Sequence, residues 1–168
     1  ANWAGDSDLP DMKFRTYQIP GTSHDAWYNM LDYYEGYLHD DAAKYNFELS
    51  FGGAEGEPLD TPYQYIFHAA LRNLYIWVRE GVPAPHAPKI EMVPAKPGDL
   101  DALTAFNPNS ATTKFENKKD VFGNTMGGIR MACMDYPVGR YVSHSKKADG
   151  SYDPMFGTVY PFAQEQLK

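Results

Sequence analysis

The sequence predicts an α/β protein whose second half is a long, partly irregular and β-containing extension. Three observations predict it. β-Branched and aromatic residues at 13–19 run into Pro20-Gly21. Apolar residues recur at helical spacing over 62–80. Glycine-punctuated runs of β-type residues occupy 120–142.

Lys13 to Ile19 alternate in part between polar and apolar types and stop at Pro20-Gly21, which predicts a strand ending in a turn. Residues 26–34 are aromatic and apolar without a clean period, fitting a short helix or a packed loop equally well. The best-specified element is 62–80. Thr61 and Gln64 have the spacing of a capping box, and Pro62 suits a first helical position. Ile66, Ala70, Leu74, Trp77 and Val78 then make one apolar face, which predicts core packing. Gly81 offers a left-handed stop, and Pro83, Pro85 and Pro88 prevent continuation. From 82 to 118 the Pro-rich chain predicts extended backbone with few regular elements. Ile129–Met134 and Val138–Val142 then read as strand pieces. Ala148-Asp149-Gly150-Ser151 is a turn signal, and the apolar tail 155–162 leads into a short terminal helix.

At 168 residues the chain is expected to form a single unit, 1–168, able to bury roughly 70% of its unfolded surface. Aromatic residues at 15% and charged residues at 22% argue against disorder. A net charge of −7 argues against a nucleic-acid partner, since phosphate contact needs clustered Lys and Arg. Lys118-Lys119 and Lys146-Lys147 are the adjacent basic pairs, read as solvated turn residues. No apolar run approaches the ~20 residues of a membrane span. A single cysteine, Cys133, excludes an internal disulfide and a Cys-rich zinc site, and reads as a buried free thiol. The start at Ala1, without Met or a signal-like segment, suggests a processed chain. The one cysteine and the Tyr- and Pro-rich composition are compatible with a secreted protein, which is the expectation here.

Five histidines are the candidates for chemistry: His24, His39, His68, His86 and His144. None forms a short-range metal pair, and no acidic cluster completes a metal shell. No metal or cofactor is therefore expected. His39-Asp40-Asp41 reads as a solvated turn, and His68 as a helix residue. His24 follows a strand and a turn, where open α/β sheets place their ligand-binding groups.

The stretch Phe14-Arg15-Thr16-Tyr17-Gln18-Ile19-Pro20-Gly21-Thr22-Ser23-His24-Asp25 resembles the histidine segment of a family of α/β-hydrolase-domain proteins. Further blocks of resemblance follow in the same order. They are Ala69–Leu74 with Trp77–Pro85, Asp120–Arg130 with Asp135–Val138, and Phe156–Phe162. Gln18 stands where Glu is usual, and Asp25 directly follows the histidine. The resemblance implies a serine esterase-like hydrolase with His24 as general base. An acid should orient its ring, and the triad order in this fold class is Ser, acid, His.

That order puts the histidine last, yet here it is at 24. No Gly-x-Ser-x-Gly elbow surrounds Ser7, Ser23, Ser50, Ser110, Ser143, Ser145 or Ser151. Asp6 and Asp8 lie too close in sequence to His24 for the usual acid-to-histidine path and read as turn residues. The expectation is thus the carboxyl-terminal portion of an α/β-hydrolase fold. Residues 1–81 would supply the last core strand, the histidine loop and the C-terminal helix, and 82–168 the extension. A second protein chain would carry the nucleophilic serine and the acid, made by proteolysis or encoded separately, and the substrate would be a small-molecule ester. Trp27 and Tyr28 are candidate pocket walls, with core packing as the blander reading. The alternative is a non-catalytic binding or structural subunit derived from such a hydrolase.

Overall fold

The computed structural model describes residues 5–26, 55–95, 115–153 and 155–167. Within them, β1 (Ser7–Leu9) and β2 (Met12–Phe14) form an antiparallel hairpin with Asp8 opposite Lys13. The strand expected over 13–19 is thus confined to its first residues. From Arg15 onward the backbone bonds to side chains, and at Gln18 to the Ile129 amide, rather than to a ladder. The Thr16 amide donates to Asp6 Oδ1 at 3.0 Å, and the Thr16 carbonyl accepts from Lys89 Nζ. Extended chain whose backbone groups are satisfied this way has no need of a neighbouring strand.

After β3 (Glu57–Pro58) comes the long helix α1 (Gln64–Glu80). Its N-cap is Tyr63, with no side-chain capping bond, so the expected Thr61 cap is not made. The Thr61 hydroxyl donates instead to the Gly21 carbonyl at 2.6 Å, and the helix N-cap lies two residues further on, at Tyr63, beyond the position from which Thr61 was expected to cap it. The carboxyl end is as expected. Gly81 takes φ 75°, and its amide closes on the Trp77 carbonyl at 3.2 Å. The apolar face departs from expectation: Trp77 is the buried helix residue, while Leu74 and Val78 are 47% and 65% exposed. Trp77 is covered by the Arg15 guanidinium, 4.5 Å from its ring centroid, and Lys13 Nζ reaches the Trp77 carbonyl.

The chain then runs without regular structure to β4 (Met92–Pro94), which pairs with β5 (Phe115–Asn117). Residues 132–134, expected in the strand piece 129–134, fall instead in a single helical turn, α2 (Ala132–Asp135). Arg130 explains the turn. It donates to Asp135 Oδ1 at 2.7 Å, to the Thr125 carbonyl at 2.6 Å and to the Met134 carbonyl. A planar guanidinium fork that ties the carboxyl end of so short a segment back to Thr125 holds it coiled.

β6 (Gly139–Val142) lies where a strand was expected. A small hairpin, β7 (Ser145–Lys146) and β8 (Tyr152–Asp153), closes around the expected 148–151 turn. There Gly150 donates to the Lys147 carbonyl. The apolar tail becomes β9 (Thr158–Pro161), the central strand of an antiparallel sheet ordered β3-β9-β6, followed by a 3₁₀ turn at Gln164–Leu167. Buried Asn124 locks this sheet to the preceding loop, accepting from the Tyr141 amide and donating to the Gly139 carbonyl. Every sheet pairing among the described residues is antiparallel, and one isolated bridge, Asp25 to Phe156, is parallel. No helix among the described residues is long and apolar enough to cross a membrane.

Candidate active site at the His24 loop

His24 is exposed and follows a turn that four distant parts of the chain hold in place. At its entrance, Gln18 is fixed twice. Its side-chain Oε1 accepts from the Ile90 amide at 2.7 Å, and its carbonyl accepts from the Ile129 amide at 2.8 Å. The first bond needs only a side-chain oxygen, so Gln at this position performs the task that a Glu carboxylate would. At the corner, Gly21 adopts φ 70°, and a Cβ there would run into the thioether sulfur of buried Met134. Glycine is required both for the left-handed backbone and for this close approach.

Thr61 caps the Gly21 carbonyl from the other side, and Thr22 donates back to the Ile19 carbonyl at 2.9 Å. Beyond the histidine, the Asp25 amide donates to the Met155 carbonyl at 2.9 Å. The Ser23 hydroxyl donates to the Asp25 carbonyl at 2.5 Å, so this serine is committed to the loop. Ala26 is buried immediately afterwards. Both neighbours of His24 are therefore tied down while its imidazole faces outward. Among the described residues no serine hydroxyl and no carboxylate is hydrogen-bonded to that ring.

Trp27 and Tyr28, the expected pocket walls, lie outside the described residues, as do His39, Ser50 and Ser110. His68 is exposed on α1, and His144 meets the Tyr152 ring edge-on at 5.2 Å. Cys133 is half-buried on α2, and its burial pushes the thiol up, away from the thiolate that nucleophilic chemistry needs. No group of three or more His, Cys, Asp or Glu side chains among the described residues could hold a metal ion.

Asp6 and Asp8 are not the turn residues expected. Asp8 sits in β1 and pairs with Arg15 at 2.5 Å. Asp6, one-tenth exposed, accepts from the Thr16 amide and from Lys89 Nζ on Oδ1, and faces His86 Nδ1 at 2.7 Å on Oδ2. The Thr16 amide, then the His86 and Lys89 contacts, hold its carboxyl well below the usual carboxylate range against the opposing effect of burial. This carboxylate is occupied by partners other than His24. Nothing local in the sequence announces its pairing with His86, since the two lie 80 positions apart.

No curated protein and no solved structure matches this chain. A family model described as an alpha/beta hydrolase domain matches residues 2–168. The match takes in the His24 loop, α1, the α2 anchor and the β3-β9-β6 sheet together, and on it the chain belongs to the alpha/beta hydrolase domain family.

Proposed function

We propose that this chain supplies the histidine of a serine hydrolase acting on carboxylic esters, with His24 as the general base. The observation that carries the reading is the outward imidazole on a loop anchored at Gln18, Gly21 and Asp25. A base must meet its substrate in a fixed position while its ring nitrogen stays free for the reacting proton. Neutral His24 takes the proton of a serine hydroxyl as that oxygen attacks the ester carbonyl. It then returns the proton to the leaving alcohol, and water repeats the cycle on the acyl-enzyme. Such proton transfer contributes roughly 10²- to 10⁴-fold to the rate.

The serine, the acid that orients the imidazole and the oxyanion donors lie outside these residues, on a companion chain. The absence of a glycine-framed serine supports this. The exposed apolar side of α1, with Leu74 and Val78 uncovered, gives the companion a face to pack on. Trp27 and Tyr28 are proposed walls of the ester pocket, and a secreted location is proposed with them.

Fluorophosphonate labelling of the natively purified protein, with the labelled peptide identified by mass spectrometry, tests it. The expected label sits on a serine of a co-purifying chain. A folded, unlabelled 18.9 kDa monomer would instead support the non-catalytic subunit.

A further inference from the structure

His86 stands between two carboxylates. Its Nδ1 lies 2.7 Å from Asp6 Oδ2 and its Nε2 lies 3.8 Å from Asp8 Oδ2, while 63% of the side chain is exposed to solvent. A neutral imidazole donates from one nitrogen only. The short contact to Asp6 requires that donor to be Nδ1, which leaves the Nε2 lone pair turned toward a second carboxylate. Only the imidazolium has a proton for each side. The 3.8 Å separation is too long for a hydrogen bond but within ion-pair reach, so it is the contact that protonation would shorten.

The other charged groups facing this cluster sharpen the point. Asp6 is also held by Lys89, and Asp8 by Arg15, whose side chain is 5% exposed. With His86 neutral, two carboxylates balance two cations. A proton on the ring adds a cation, and Asp8, at 52% exposure, has room to receive a second partner. The surrounding bonds all join the same two stretches. Arg15 Nε donates to the Ala84 carbonyl at 2.7 Å, the Tyr17 hydroxyl to the Pro85 carbonyl at 2.8 Å, and Lys89 to the Thr16 carbonyl.

We propose that protonation of His86 closes a clasp between the β1–β2 hairpin and the Pro-rich segment 82–89, gripping Asp6 and Asp8 at once. The clasp adjoins Thr16 to Gln18, the chain that leads into the His24 loop, so it tightens the loop's entrance as the medium turns acid. It does not depend on the hydrolase reading, because it concerns the fold alone.

Hydrogen exchange of the protein as purified, at pH 5.5 and pH 8 and corrected for intrinsic exchange rates, tests it. Protection of residues 7–17 should be about two- to fivefold greater at pH 5.5, the range expected of a half-exposed ion pair. H86Q should abolish that pH response. Should H86Q fold poorly, D8N on an exposed carboxylate should still cut the response while leaving the Asp6 contact. An equal response in the wild type and both variants, or none in the wild type, would overturn the proposal.

Discussion

The hydroxyl of Thr61 donates to the carbonyl of Gly21 at 2.6 Å, forty residues away in sequence and three residues before His24. Thr61 is 3% exposed, so the bond is made where water cannot replace it. Thr61→Val keeps the shape and leaves the Gly21 carbonyl unpaired, and should cost about 1–3 kcal/mol in urea unfolding. Thr61→Ser should cost less. A Val variant as stable as the wild type would show that this bond does not hold the loop.

Gly21 itself should be the least replaceable residue of the loop. Gly21→Ala forces a side chain into φ 70° against the Met134 thioether, adding a steric conflict to a left-handed cost of about 1–2 kcal/mol. Gly21→Ala combined with Met134→Ala should relieve the steric part and leave the backbone part. The comparison is a double-mutant cycle in thermal or urea unfolding, with coupling expected at this contact.

Gln18→Glu should be tolerated, because the Ile90 amide needs only a side-chain oxygen to donate to. Gln18→Leu removes that acceptor and should destabilise by about 1–3 kcal/mol. Equal losses for Glu and Leu would contradict the assignment of Oε1 as the acceptor.

Asp6 ties acid sensitivity to the amino-terminal segment. Its folded carboxyl is held well below its ordinary range, so its contribution is present above the ordinary carboxylate pKa of about 4. That contribution is lost as pH falls below this range toward the depressed folded value. D6N should lower stability at neutral pH and flatten the fall in stability on acidification. Urea midpoints across pH 2–7 for wild type and D6N measure both effects.

The α1 face should matter to assembly and not to the chain's own stability. Leu74→Glu with Val78→Glu alters side chains already 47% and 65% exposed, so the stability of the chain by itself should move by less than about 0.5 kcal/mol per site. Co-purification of the companion chain should be lost. Retention of the companion by the double variant would place the contact elsewhere.

Local signals in the sequence found what local physics determines. The 3.6-residue period located α1, Gly81 ended it, and Asp149-Gly150 marked the hairpin turn. Pairings made over long separations were out of reach. Thr61 reads as a cap because its spacing to Gln64 is that of a capping box, and only the fold brings the Gly21 carbonyl within reach of its hydroxyl. The strand-like run 129–134 ends in a helical turn through Arg130 bonds that β-propensity does not register. Arg15 to Ile19 have strand-like residues, yet their backbone groups meet the side chains of Asp6, Lys89 and Thr22 and the Ile129 amide instead of a neighbouring strand. The motif singled out His24 as a candidate, while the bonds from Ile90, Ile129, Thr61 and Met155 that hold its loop had no local signal.

The most direct test of the account is labelling of the native assembly by a fluorophosphonate, comparing the wild type with His24→Ala. The His24 loop predicts a labelled serine on the companion chain and a labelling rate lower by roughly 10²-fold or more in the variant. Equal labelling of both proteins, or a label on a serine whose reactivity ignores His24, would contradict it.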